Sequence, residues 1–115
     1  MAVVVRDAHD AITVQDLDGQ TLAWNPGAEH MYGWSESQAL QINVRDRIPP
    51  ALQEEALDRV HQLRQAQTLQ PVVTQRLTKD GAILDISLTS TALVNESGQI
   101  YAIATTERTV DLKPA

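Results

Sequence analysis

A chain of 115 residues with 9 basic and 15 acidic side chains has room for one buried core but not two, and its net charge of −6 disfavours nucleic acid and anionic lipid surfaces as partners. The absence of cysteine excludes a disulfide framework, a thiolate nucleophile and thiolate-held metals. No apolar run approaches the roughly 20 residues of a membrane span, so a single cytoplasmic domain without membrane contact is expected, spanning 1–115 with a core of about 8–111.

The first element is a strand over Ala11 to Leu17, with Ile12 and Val14 on one phase. Asp18-Gly19 follows, a pair suited to positive φ, and then the apolar run Thr21 to Trp24, so a β-hairpin is predicted. Asn25-Pro26 opens a short helix, because Asn accepts from free helical amides and Pro already holds the φ of a first helical residue. Gly33 interrupts that helix, and Ser35 with Gln38 forms a capping-box pattern that starts a second one.

After Pro49-Pro50, the residues Leu52, Ala56, Leu57, Val60 and Leu63 project onto one helical face, with Glu54, Glu55, Asp58, Arg59 and Gln62 opposite. This predicts one longer amphipathic helix. Val72 to Thr78 suits a strand, Lys79-Asp80-Gly81 a turn, and Ile83 to Val94 a half-buried strand with Leu84, Ile86 and Leu88 at period two. Asn95 to Gly98 turns the chain into a last apolar strand, Ile100 to Thr106, before the polar end Glu107 to Ala115. Two strands, helices and three strands joined by tight turns imply an α+β domain with an antiparallel sheet.

The segment Asn25-Pro-Gly-Ala-Glu-His-Met-Tyr-Gly-Trp-Ser35 resembles the part of PAS domains in which Asn, Ala, Gly, an aromatic and Ser recur between the second strand and the helices. The resemblance extends through Leu77-Thr-Lys-Asp-Gly81 and Asn95 to Glu107, covering about residues 8 to 111. Val4 to Asp7, Asp10 to Leu17 and Ala102 to Arg108 resemble PAS segments of chemotaxis-type methyltransferase/methylesterase fusions and sensor histidine kinases. Gln38 and Gln41 depart from the Glu and Gly frequent there, and Thr109-Val-Asp111 stands where Asp-Ile-Thr is common. The resemblance implies a PAS-like five-stranded antiparallel sheet of order 2-1-5-4-3 with helices on one face. It also implies a sensory module of a bacterial signal-transduction protein, relaying a change through its last strand to an effector domain such as a methyltransferase, kinase or cyclase.

The same resemblance makes Val14, Trp24, Val60, Leu63, Ile86 and Leu88 the candidate ligand-binding residues, on the space between long helix and sheet. No cofactor is expected. Asn43-Val44-Arg45 stands where photochemical relatives carry Asn-Cys-Arg, and Val44 excludes a cysteinyl-flavin adduct. Haem is the alternative, with His61 as the helical candidate for axial ligand, but His61 falls at the edge of the apolar face and Ala56 lies nearer the usual axial position.

Glu29 with His30, or Asp58 with His61, lacks the nucleophile and oxyanion site that hydrolysis needs, so no catalytic residue and no enzyme is expected. His9, His30 and His61 fall on separate elements without metal-ligand spacing. The alternative function is a ligand-free module that forms a homodimer through Ala2-Val-Val-Val5 and the exposed sheet face.

Overall fold

The computed structural model describes residues 10–110. Two strands, β1 (Ala11–Asp16) and β2 (Thr21–Trp24), precede helices α1 (Pro26–Tyr32) and α2 (Glu36–Ala39). Two 3-10 turns, Val44–Arg47 and Pro50–Leu52, lead into α3 (Gln53–Arg64). Strands β3 (Val72–Leu77), β4 (Ile83–Val94) and β5 (Ile100–Thr109) complete one five-stranded sheet of order β2-β1-β5-β4-β3. Every neighbouring pair is antiparallel, and the helical segment covers one face.

Local chemistry accounts for the element boundaries. Asn25 Oδ1 accepts from Ala28 N at 2.8 Å to cap α1, and also from Ile12 N at 2.9 Å, so one side chain starts the helix and fixes it to the sheet. Gly33, at φ 85°, ends α1 in the left-handed region that an L side chain resists. Ser35 and Gln38 form the reciprocal capping box of α2. The Cβ-less Gly19, at φ 91°, lets the β1–β2 turn approach Asn43 so closely that an added methyl would lie 2.6 Å from Asn43 Oδ1. That contact carries Val44 N to Gly19 O at 2.7 Å and positions the 3-10 turn that leads to α3.

The register aligns the inward side chains in rows. Thr13 and Ser90 flank Thr105 from opposite sides, and Ala11 and Leu88 flank Glu107. Tyr32, Ile86 and Ile103 are fully buried, each contributing about 1.5–3 kcal/mol through removal from water.

Three sequence-based expectations are corrected here. The β1 phase that holds Ile12 and Val14 faces away from the helices, while Ala11, Thr13 and Gln15 are the buried set. Apolar alternation misdirects because Thr13 points inward with its hydroxyl satisfied by Thr105 at 2.6 Å. The last strand runs to Thr109 rather than Thr106, and Glu107 is buried within it. Leu57 is two-thirds exposed (67%), so the inward face of α3 narrows to Ala56, Arg59, Val60 and Leu63. Ala2–Val5, His9 and Asp111 lie outside the described residues.

Candidate functional site

The interior between the helices and the sheet is built around a charge. Glu107, on the central strand β5, is 1% exposed, and Arg47, from the first 3-10 turn, is 2% exposed. They form an ion pair with Arg47 Nη1 donating to Glu107 Oε1 at 3.3 Å. Tyr32 Oη, at the end of α1, donates to the same carboxylate oxygen, and Thr105 Oγ1 donates to the other at 2.6 Å. The guanidinium of Arg47 lies 5.0 Å from the ring centroids of both Trp24 and Tyr32, which are themselves 5.8 Å apart, so the cation sits over a pair of packed aromatic rings.

Burial alone would raise the Glu107 carboxyl, but the Arg47 charge, the Thr105 and Tyr32 hydrogen bonds and the Arg76 charge outweigh it and hold the pKa below the ordinary 4.5. The Tyr32 phenol moves the other way, pushed far above its ordinary value by burial and by the adjacent negative charge. The pair is thus an ionised carboxylate and a neutral phenol donor. Arg76, 6% exposed on β3, has its pKa lowered first by desolvation.

Beside this network lies a cavity of about 40 Å³ under α3, with Arg59, Val60 and Leu63 on one side and Arg76, Leu88 and Thr105 among the strand residues on the other. It shares Gln15, Val44, Ile48, Ala56 and Val60 with a larger groove of about 430 Å³ between α3 and the β1–β2 turn. The groove reaches outward along Leu17, Asn43, Arg45 and Leu57. Its volume falls in the range typical of small-molecule sites.

The predicted residues divide among several places. Val60, Leu63 and Leu88 line the cavity. Ile86 is fully buried in the neighbouring core, and Trp24 forms the aromatic wall against Arg47. Val14, on the outward phase of β1, does not reach the interior; its register partners are Ala23 and Ala104. Val44 lines both spaces. His61 is exposed with its ring against Gln65, and His30 is also exposed. Among the described residues no group of three or more His, Cys, Asp or Glu is placed to hold a metal ion, and no helix is long and apolar enough to cross a membrane.

Sequence reasoning missed Arg47, Arg59, Arg76, Tyr32 and Glu107. The signal for two of them was present in the alternation: Arg76 shares the phase of Val72 and Thr74, and Glu107 that of Ile103 and Thr105.

A family profile described as the PAS fold matches residues 1–108. The chain belongs to the PAS family. No curated protein sequence matches this PAS domain. Among solved structures, the PAS domain of a protein from Colwellia psychrerythraea is 28% identical, with a TM-score of 0.84 over 97% of this chain and 95% of that one. A light-oxygen-voltage domain, described in connection with a flavin analogue, superposes with a TM-score of 0.76 at 20% identity over 96% of this chain and 84% of that one. A PAS domain from a two-component sensor histidine kinase gives 0.72 at 19% identity over 94% and 91%. At such identities the last two likenesses establish the shared fold, and the order of the PAS sheet agrees with them.

Proposed function

We propose that this PAS domain is the sensory module of a bacterial signal-transduction protein, binding a small ligand in the helix–sheet cavity and relaying the change through β5 to an effector domain. The observation that carries this reading is that β5 both walls the cavity, through Ile103, Thr105 and Glu107, and carries the chain onward at its end. Glu107 is held from the helical side by Tyr32 and Arg47, so a ligand that moves either helical element changes the strand's restraints. A ligand transmits a signal only through its difference in affinity for the two arrangements, and this network is where that difference arises. Val60, Leu63 and Leu88 are the contacts retained from the sequence reading, and no resident cofactor is needed for the proposed role.

Native mass spectrometry of freshly purified protein, followed by hydrogen exchange with and without the retained molecule, tests the reading. Slower exchange at residues 100–110 in the bound form is expected. A bound molecule that leaves that segment's exchange unchanged refutes the relay.

A second reading, a homodimerisation module, draws on the outward sheet face, where Ile12 and Leu22 are each 49% exposed. It requires a dimer in solution with an empty cavity, which the same mass spectrum distinguishes.

A further inference from the structure

Positive charge exceeds negative charge inside this domain. The two carboxylate oxygens of Glu107 already accept from Arg47, Tyr32 and Thr105, which leaves little capacity for further cations. Arg59 and Arg76 nevertheless line the same cavity, and among the described residues neither has a carboxylate within ion-pair distance. Arg76 is more than nine-tenths buried, and its one side-chain hydrogen bond among the described residues runs from Nη1 to the Gln75 carbonyl at 2.8 Å. Nε and Nη2 of Arg59 are buried without a hydrogen-bond partner. A buried guanidinium with unmet donors is costly, and polar interiors resolve that cost with a partner group or ion.

Resting on the sensory reading above, we infer that the cavity receives the carboxylate head of a small organic acid, held between Arg59 and Arg76. The planar fork of a guanidinium matches the two oxygens of a carboxylate, and two such forks on facing elements suit one planar anion. The inner space of about 40 Å³ holds roughly three water-sized atoms, the size of a carboxylate group. The five residues shared with the outer groove give the acid's body a continuous path, along Val44, Ala56 and Val60 toward Leu17 and Leu57. Gln15 and Ser90 supply neutral polar contacts on the sheet side, where Thr105 is already committed to Glu107, whose carboxylate also lines the space with its oxygens engaged by Arg47, Tyr32 and Thr105. An anion bridging α3 to β3 links the helical layer to the sheet in the cavity that Glu107 also lines.

The test uses the full 115-residue chain. Acetate, butyrate and hexanoate are titrated at constant ionic strength against chloride, with acetamide, butyramide and hexanamide in parallel. Amide resonances of Gln15, Ser90 and Thr105 and the side-chain Nε resonances of Arg59 and Arg76 provide the readout. At least one acid is expected to shift these signals while its amide does not. Arg59→Gln is expected to weaken that binding about tenfold or more, given the strength of charge-assisted hydrogen bonds. Arg76→Lys, which keeps the charge but loses the fork, also weakens it; if that variant fails to fold, Arg59→Gln at its half-buried helical position decides.

Equal shifts from acids and amides, or unchanged acid binding in the variants that fold, overturn the carboxylate assignment and leave a ligand cavity standing. Silence from every acid overturns the assignment too. The sensory reading is then decided separately, by the retained molecule and the exchange of residues 100–110.

Discussion

Replacing Glu107 with Gln isolates the energetic role of the buried ion pair, because the amide matches the carboxylate in size and can still bond Tyr32 and Thr105. The change leaves Arg47, 2% exposed, as a cation with no counter-charge over the Trp24 and Tyr32 rings. Removing one partner of a buried pair costs about 3–5 kcal/mol. The two aromatic faces and the retained hydrogen bonds place this case at the lower end, about 3 kcal/mol. For a domain of this size that corresponds to a fall in Tm of roughly 10–15 °C. Urea unfolding followed by far-ultraviolet circular dichroism measures it. The double variant Glu107→Gln with Arg47→Met removes the stranded charge and is expected to recover most of the loss. A single variant within about 1 kcal/mol of the parent, or a double variant no more stable than Glu107→Gln alone, refutes the claim that the interior depends on this pair.

The same carboxylate makes the domain acid-sensitive. Its folded pKa lies below 4.5, so its contribution is complete above about pH 4.5 and disappears as the pH falls through the folded value, where the unfolded chain binds the proton more readily. The slope of stability against pH below 4.5 is therefore expected to flatten in Glu107→Gln, as read by urea midpoints across that range. Gly19→Ala adds a methyl in the left-handed region and against Asn43, and is expected to lower unfolding free energy by about 1–3 kcal/mol. Asn25→Ala removes the α1 cap together with the bonds to Ile12 N and the Asp10 carbonyl, for an expected loss of about 2 kcal/mol by denaturant titration. By contrast, Asp10→Asn breaks an exposed pair with Arg108 and is expected to change stability by less than about 1 kcal/mol.

The sheet and its turns were legible because the responsible chemistry is local. Asp18-Gly19, Lys79-Asp80-Gly81 and Asn95 to Gly98 each sit in a turn with glycine at positive φ, and the Asn25 and Ser35 caps form as their side chains dictate. The polar interior was harder to read. A charged residue in a strand is ordinarily placed outside, and nothing adjacent to Glu107 reveals that Arg47, sixty residues earlier, neutralises it. A period-two pattern through Ile103 and Thr105, carried one step further, turns Glu107 inward and ends the strand later. The facing of β1 failed for the complementary reason: Thr13 and Gln15 are polar but buried, so the hydrophobic phase of that strand marks its outer side. Of the residues that the family resemblance pointed to, Val60, Leu63 and Leu88 line the cavity, while Trp24 and Ile86 are buried in the core.

Each indole in this chain lies near a cation: Trp24 beside Arg47 and Trp34 beside Lys79, 5.8 Å from the ring centroid. The first is buried at the ion pair, and the second is partly open where the β3–β4 turn docks. Fluorescence emission from the unlabelled protein is therefore expected to contain two contributions, one from an indole beside the interior charge and one from an indole beside a surface lysine. Selective quenching with a dissolved ion distinguishes them, so events at the heart of the domain can be followed in real time without attaching a dye.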